Sequence, residues 1–331
     1  MSKDGPKIKA FAIGVKVEMN LHDLNNELAT GNVSAIRLAK MLVKGEDGKQ
    51  KEVSVQAVSG RMIKHWHWEH YRRRFTAEDL CGACTVGETI RPVRLEKGIW
   101  RFMEPEEAVK SCAACDVHGF LIPTKSLRRS SLALFSWLLP PLDSLDYALT
   151  SATHSRVAAT DYPVEKKKGE SEEESEEGKT GQMVYNKVYA SGTYAFVSYL
   201  DVEHIGYGEK REGKEKVSFT ALVEEPEKRL ARAEAAILAY QDMLTGRLGA
   251  SQAFALPHAK VISLLACYSC SGQFPIPVSP IYPDFVKGTV ELMPNEVKIL
   301  GYGVEKHERI TEKPVNEIFS EVIKALREGC K

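Results

Sequence analysis

The sequence lacks the features of a membrane-bound or secreted protein. Its longest apolar run, Leu132 to Leu142, is interrupted by Ser136, Pro140 and Pro141. That run is far shorter than the roughly 20 residues that a membrane-spanning helix needs. The first residues carry charge, and no apolar segment typical of a secretory signal follows them. We therefore expect a cytoplasmic protein with no membrane partner.

The sequence also lacks the common catalytic motifs. It contains no Gly-x-Ser-x-Gly, no Walker loop and no His-Glu-x-x-His. No pair of carboxylates stands out in an apolar context. Asp116 and Asp161 are candidate acids, but each also fits an ordinary loop or turn residue. These observations predict a protein that is not an enzyme.

The chain has no net charge, because its 331 residues include 45 basic and 45 acidic side chains. The balance conceals an asymmetry. Residues 1–160 hold 23 basic and 18 acidic side chains, and residues 161–331 hold 22 and 27. This distribution permits a basic surface on the N-terminal half. The run from Glu165 to Lys179 is mostly charged with no apolar residue, which predicts a disordered, solvated loop.

Apolar periodicities predict an α+β fold in which helices cover one face of an antiparallel sheet. Alternating residues indicate strands at 8–19, 53–58, 184–202 and 258–266, and a hairpin at 289–303. Helical spacing indicates helices at 59–74, from Pro226 to a stop at Gly246, and after Pro314.

The predicted helix 59–74 is both basic and aromatic. Met62, Ile63 and Trp66 form a candidate buried stripe. A second face carries cations and an aromatic ring, namely Arg61, Lys64, His65, Trp68 and Arg72. Such a face suits a single-stranded RNA, and the free amides after Ser59 can hold a phosphate. A solvated basic helix with half-buried tryptophans explains the pattern equally well.

Three histidines of this helix, His65, His67 and His70, raise the question of a metal site. His67 and His70 would need further ligands from elsewhere in the chain. Core or RNA-facing histidines are therefore the better interpretation.

Two other segments combine basic and hydroxyl side chains and are candidate phosphate contacts. The first contains Lys125, Arg128 and Arg129, and the second is His154-Ser155-Arg156. A solvated loop explains either segment nearly as well. The string Gly246-Arg247-Leu248-Gly249 can let the backbone approach a phosphate chain, although a helix C-cap alone explains Gly246.

Six of the seven cysteines form Cys-x-x-Cys pairs. Cys81 and Cys84 are separated by 27 residues from Cys112 and Cys115, an arrangement typical of a structural zinc site with four thiolate ligands. Two disulfides or free thiols are the alternative. The third pair, Cys267 and Cys270, ends a predicted strand and indicates buried structural cysteines or a local disulfide.

Several of these strings, taken in order, resemble a known family. The family comprises the RAMP-type backbone subunits of CRISPR interference complexes, in particular the archaeal type I-A form grouped with DevR. The matching strings are Leu24 to Arg37 with its Gly31-Asn32-Val33, Val58 to Arg61, Cys115 to Leu121, Arg128 to Ser131, His154 to Arg156, and Gly246 to Gly249. Each string is short, and their shared order over residues 24–266 carries the resemblance.

The resemblance implies a modified RRM-like (ferredoxin-like) palm with a thumb hairpin and a finger-like insertion. We divide the chain accordingly into a palm at 1–75 and 184–331, a cysteine-paired finger insertion at 76–118, a thumb region at 119–163 and the acidic loop at 164–182. The cysteine pairs and the acidic loop do not belong to the family's common motifs.

The resemblance also implies a non-catalytic subunit that binds crRNA. Copies of the subunit would form a helical filament with other Cascade subunits and present the guide for pairing with target DNA. By position, the implied RNA contacts are Asn32, Arg37, Ser59, Arg61, Lys64 and His65 on the palm, Lys125, Arg128, Arg129, His154 and Arg156 in or beside the thumb, and Arg247 in the glycine loop. Two alternatives remain open: an RNA-cleaving RAMP-type ribonuclease, and a zinc-containing regulatory or interaction protein.

Overall fold

The structure is a computed structural model, and it describes most of the chain. The described residues are 5–24, 26–30, 33–45, 47–157, 182–212, 216–245, 248–249 and 256–330. The predicted contacts Asn32 and Arg247 lie outside these ranges. So does the predicted acidic loop 164–182, except for Gln182, which begins a strand.

The strands and helices have the following bounds. The strands are β1 (Ala10–His22), β2 (Asn26–Thr30), β3 (Val33–Ile36), β4 (Leu38–Lys44), β5 (Gln50–Gln56), β6 (Val93–Glu96), β7 (Ile99–Phe102), β8 (Phe120–Ile122), β9 (Leu127–Arg129), β10 (Ala133–Phe135), β11 (Tyr147–Val157), β12 (Gln182–Asp201), β13 (Tyr207–Glu212), β14 (Lys216–Ala221), β15 (His258–Ser269), β16 (Lys298–Tyr302) and β17 (Ile310–Glu312). The helices are α1 (Gly60–Arg72), α2 (Gly82–Val86), α3 (Pro105–Ser111), α4 (Ala113–His118), α5 (Pro226–Leu244), α6 (Phe285–Leu292) and α7 (Val315–Glu328).

A nine-stranded sheet forms the centre of the fold, with the order β17-β16-β15-β1-β12-β3-β2, and β10 and β11 also pair with β12. β1 is antiparallel to both of its neighbours, so that Phe11 lies opposite Leu200 on one side and Tyr268 on the other. β11 and the first half of β12 form an antiparallel pair beyond the end of β1. The structure thus confirms the prediction of a mixed α+β fold with antiparallel pairing.

The alternation of β1 explains the two layers that cover this sheet. Phe11, Ile13 and Val15 point into a cluster that includes side chains of α1, α5 and α7, among them Ile237 and Phe319. Pro226 begins α5, as its fixed φ angle favours. The residues of β1 between them, such as Ala10 and Ala12, point into a second cluster.

The second cluster corrects two predictions. Helices do not cover only one face of the sheet, because α6 packs against Ala10 and Ala12 on the opposite face. The hairpin predicted at 289–303 is also wrong, since its first residues belong to α6 and the rest contains only β16, which pairs with β15 and β17. Phe285, Val286, Thr289 and Val290 are buried at helical spacing, and this spacing determines the local structure.

The cysteine-paired segment 76–118 contributes apolar side chains to the main core of the fold. In the structure, Val93, Ala108, Val109 and Val117 are buried in the same cluster as the central sheet. The segment is therefore packed onto the core of the fold and not held by its cysteines alone.

The third cysteine pair does not form a local disulfide. Cys267 is a buried free thiol, whereas Cys270 is bonded to Cys330 beyond the end of α7. Residues three apart on a strand point to opposite faces, so Cys267 and Cys270 cannot readily reach each other. None of the described helices has the length and apolar character needed to cross a membrane.

Candidate nucleic-acid groove and metal cluster

A groove runs past the N-terminus of α1. It consists of two adjoining pockets of about 580 and 440 Å³ that share Arg61, Lys64 and Ser131. Arg37, Ser59 and Trp137 line the first pocket, and Arg91 and Arg129 line the second. The described residues that line the two pockets include five with a positive charge and none with a negative charge. We call this feature the cationic groove.

The start of α1 fixes one wall of the cationic groove. Ser59 is the N-cap, and its Oγ accepts a hydrogen bond from the N–H of Met62 at 3.4 Å. The next residue must be small, because a Cβ on Gly60 would lie 2.4 Å from the carbonyl oxygen of Phe135. This close approach brings β10, and Trp137 after it, against the first turn of α1.

Lys64 lies where the two pockets meet. Its ammonium is half-buried and donates a 3.4 Å hydrogen bond to the carbonyl oxygen of His118. Burial and the nearby positive charges of Arg91 and Arg61 lower the pKa of Lys64. Since like charges crowd this point, an anion that bound there would relieve their repulsion.

The predicted contact Arg129 is used inside the protein. Its guanidinium donates to Asp116 Oδ1 at 2.5 Å and to the carbonyl oxygens of Asp116 and Tyr207. Asp116 is fully buried and also accepts from Arg232 and from the N–H of Gly206, each at 2.8 Å. Arg129 thus has a structural role, and this placement does not support it as an RNA contact.

The structure brings only some of the other predicted contacts together. Arg37, Ser59, Arg61 and Lys64 all line the cationic groove. Lys125 pairs with Glu104, and Arg128 is exposed on β9. Neither residue is among the described residues that line the groove. His154 and Arg156 lie on β11, and their side chains are outside the described part of the structure.

Trp68, which one of the two interpretations of the sequence places on an RNA-facing side of α1, is buried in the structure. Trp68 is only 1% exposed, and the guanidinium groups of Arg72 and Arg91 each lie 5.2 Å from its ring. His65 stacks on the same indole, with ring centroids 5.4 Å apart. Trp137, in contrast, is 40% exposed and lies beside Arg37 in the cationic groove. The RNA-facing interpretation of Trp68 is therefore wrong.

Two of the three histidines on α1 are core residues, which is one of the two roles that the sequence predicts for them. His67 and His70 are buried, and His67 packs among Tyr71, Phe135 and Tyr240. His67 Nε2 donates to the carbonyl oxygen of Ala236 at 2.9 Å, so its Nδ1 accepts from His118 Nε2 at 2.8 Å. Burial lowers the pKa of His67 to about 3.

The four paired cysteines converge on one buried point. Their sulfurs all lie within 4.8 Å of one another, and Cys81 Sγ is 3.8 Å from Cys115 Sγ. Four sulfurs at about 2.3 Å from one zinc ion would be roughly 3.8 Å apart. All four cysteines are free thiols, so the disulfide alternative does not describe this structure. We call this set the four-cysteine cluster.

Local structure explains why the four-cysteine cluster can hold a metal ion. Cys81 precedes α2 and Cys112 precedes α4, so each Cys-x-x-Cys pair spans the start of a short helix. Cys112 Sγ accepts the N–H of Cys115 at 3.3 Å. Trp100 covers Gly82, where a Cβ would lie 2.6 Å from the indole ring.

Comparisons with known proteins place the chain among CRISPR-associated proteins. The model of the family described as "CRISPR-associated negative auto-regulator DevR/Csa2" matches residues 13–292. A Methanocaldococcus jannaschii protein named "CRISPR-associated protein Cas7/Cst2/DevR" is 30% identical over 337 residues, which cover 95% of this chain and 99% of that protein. A Thermoproteus tenax protein of the same name is 29% identical over 88% of this chain and 85% of its own length. This chain belongs to the DevR/Csa2 family, and the resemblance drawn from the sequence is confirmed.

The chain also aligns with solved structures of low sequence identity. A chain of a structure described as "CRISPR RNA-guided surveillance complex, pre-nicking" has a TM-score of 0.48 and 9% identity, and the alignment covers 96% of this chain and 99% of that one. A second, described as "CRISPR RNA-guided surveillance complex", has a TM-score of 0.45 and 10% identity.

Proposed function

We propose that this chain is a crRNA-binding backbone subunit of a CRISPR interference complex. In this proposal, copies of the chain assemble side by side along the guide RNA with other Cascade subunits. They present the guide for pairing with target DNA. Membership of the DevR/Csa2 family supports this role, and the cationic groove supplies the chemistry for it.

The observation that carries the proposal is the concentration of positive charge in the cationic groove. Burial and the nearby positive charges of Arg91 and Arg61 lower the pKa of Lys64, and no acidic residue is among the described residues that line the groove. A single-stranded RNA supplies a phosphate at each nucleotide, which would neutralise such a row of cations. Trp137 offers an exposed ring beside them for stacking on a base.

The groove chemistry suits a guide of any sequence. Cations and the serine hydroxyls of Ser59 and Ser131 contact phosphate and sugar groups, which are the same in every nucleotide. Stacking on Trp137 also tolerates any base, because every base has a π-face. A subunit that carries many different guides needs this kind of binding.

We divide the chain as the resemblance implies, with a palm at 1–75 and 184–331, a finger insertion at 76–118 and a thumb region at 119–163. In this division β11, which pairs with the first half of β12, lies in the thumb region. It carries His154 and Arg156, which remain proposed RNA contacts together with Asn32, His65, Lys125, Arg128 and Arg247.

The proposal is for binding without cleavage. Asp116, one of the two candidate acids, is committed to Arg129, Arg232 and Gly206 in the interior and does not line the groove. Asp161 lies outside the described residues. Incubation of the protein with a labelled RNA that fills the groove tests this point, and the RNA stays intact in our proposal.

The four-cysteine cluster holds a structural zinc ion in this proposal. Four thiolates complete a tetrahedral shell and leave no position for a reactive water, so the ion stabilises α2 and α4 and performs no hydrolysis. The burial of all four sulfurs supports this assignment.

The experiment that tests the function asks whether the purified full-length chain carries RNA. A backbone subunit expressed with its CRISPR locus should retain RNA of one uniform length, visible on a denaturing gel after phenol extraction. Protein that carries no RNA, and that binds no added single-stranded RNA, would favour the regulatory alternative.

A further inference from the structure

Helix α4 connects the four-cysteine cluster to the cationic groove. Cys112 and Cys115 lie at its N-terminal end, and four consecutive carbonyl groups follow at its C-terminal end. These carbonyl oxygens belong to Asp116, Val117, His118 and Gly119. Each accepts a hydrogen bond from a neighbouring segment. The carbonyl oxygen of Asp116 accepts from Arg129 Nε at 2.8 Å, and that of Val117 accepts from the N–H of Leu132 at 2.9 Å. The carbonyl oxygen of His118 accepts from Lys64 Nζ at 3.4 Å, and that of Gly119 accepts from Arg91 Nε at 2.9 Å.

This arrangement follows from the chemistry of helix ends. The last carbonyl groups of a helix have no partner within the helix and carry a partial negative charge. They therefore attract the cations of neighbouring segments. All three of those cations, Arg129, Lys64 and Arg91, line the cationic groove. Arg129 is also held by the buried Asp116 carboxylate, so the position of α4 determines above all where the charges of Lys64 and Arg91 lie.

The exit from α4 leaves little freedom for rearrangement. Gly119 has a φ angle of 68°, in the left-handed region that favours glycine. A Cβ at this position would lie 2.4 Å from the carbonyl oxygen of Arg129. The chain after α4 is thus held tightly against β9, and a shift of α4 has to move the groove residues with it.

The helix has only six residues, and helices of this length are not stable on their own. The four-cysteine cluster joins two segments, because Cys112 and Cys115 belong to the start of α4 whereas Cys81 and Cys84 belong to the start of α2. A metal ion would bond all four sulfurs at once. We infer that the metal ion sets the strength of RNA binding, because it fixes α4 and thereby the positions of Lys64 and Arg91. This inference rests on the proposed function.

The test compares the zinc-loaded full-length chain with the same protein after chelation. The probe is a labelled single-stranded RNA of mixed sequence, and binding is measured over a series of salt concentrations. The binding constant falls as salt rises, and each phosphate contact on a single strand contributes about 0.7 to the steepness of log K against log salt. The loss of two contacts therefore makes the slope shallower by about 1.4. Added Zn²⁺ should restore the original slope.

A double variant, Lys64→Ala with Arg91→Ala, shows whether zinc acts through these two cations. In our account its slope is already reduced by about 1.4, and chelation changes it no further. Equal slopes for zinc-loaded and chelated parent protein would overturn the inference and leave the proposed function intact. A chelation effect of the same size in the double variant would also overturn it, since zinc would then act through general unfolding. If neither form of the parent binds RNA, the proposed function fails and the inference fails with it.

Discussion

His67 and His118 share a hydrogen bond of 2.8 Å in the interior of the protein, between α1 and the end of α4. His67 donates its other ring nitrogen to Ala236 of α5, so three helices meet at this pair. Burial lowers the pKa of His67 to about 3 and that of His118 well below its usual value. Both imidazoles are therefore neutral in the folded protein at pH 7.

This pair should make the protein less stable in mild acid. In the unfolded chain a histidine takes up a proton near pH 6.5, whereas in the folded chain these two stay neutral. The contribution of the neutral pair to the free energy of unfolding is complete above about pH 6.5. It is lost as the pH falls toward the folded pKa of His67, about 3. Urea unfolding at pH 7.5 and pH 5.5 measures the loss.

The variant His67→Gln identifies the source of that dependence. Glutamine cannot take up the proton, so the change in unfolding free energy between pH 7.5 and pH 5.5 should be smaller than in the parent. His258→Gln is the control, because His258 is exposed. A pH dependence that is identical in His67→Gln and the parent would show that this pair is not responsible.

Arg129 and Arg128 are adjacent but should respond differently to substitution. Arg129→Met leaves the buried Asp116 carboxylate without one of its two guanidinium partners, which should cost about 3–5 kcal/mol of unfolding free energy. Arg128 is exposed on β9, so Arg128→Met should change stability by less than about 0.5 kcal/mol. Chemical denaturation measures the free energy of unfolding of both variants. If Arg129 had only a surface role, the two substitutions would change this free energy by similar small amounts.

Trp137, which lines the cationic groove, and the buried Trp68 give a similar contrast. Trp137→Ala should weaken binding of single-stranded RNA by about 1–3 kcal/mol, the usual contribution of one stacked base, and should leave the unfolding transition nearly unchanged. Trp68→Ala empties a buried site and should destabilise the protein by about 3–5 kcal/mol. RNA affinity that is unaffected by Trp137→Ala would remove this residue from the proposed interface.

The four-cysteine cluster should contain one zinc ion per chain. Elemental analysis of the purified protein measures it, and the double variant Cys81→Ser with Cys112→Ser should lose the metal. Cys267→Ser is the matched control, because Cys267 is a buried free cysteine outside the cluster. Parent protein that is free of metal, with the four sulfurs oxidised, would contradict the zinc assignment and favour disulfides.

The sequence predicted those parts of the molecule that depend on local spacing. The alternation of β1, the N-cap Ser59 and the two Cys-x-x-Cys pairs all act within a few residues, and the structure has a strand, a helix start and a converged cluster at these positions. The sequence does not predict the short helix α6, because the buried stripe of this helix covers only eight residues and also permits a strand.

The parts that could not be predicted depend on contacts between distant segments. Arg91 lies before a proline in an irregular segment and Trp137 follows a three-residue strand, so neither belongs to a periodic pattern. Both reach the groove only because β10 and the end of α4 pack against α1. The burial of Trp68 is not predictable from the sequence for the same reason, since Arg91 covers this indole ring from another segment.

The central claim is that the cationic groove binds the backbone of single-stranded RNA. Its most direct test is the salt dependence of RNA binding by the parent, by Arg61→Ala with Lys64→Ala, and by the charge-matched control Lys287→Ala with Lys298→Ala. Lys287 and Lys298 are exposed on α6 and β16, away from the groove. We expect the groove variant to bind more weakly to RNA of every sequence tested, with a slope of log K against log salt reduced by about 1.4, and the control to match the parent. Equal losses in the two variants, or binding by the parent that does not depend on salt, would contradict the account.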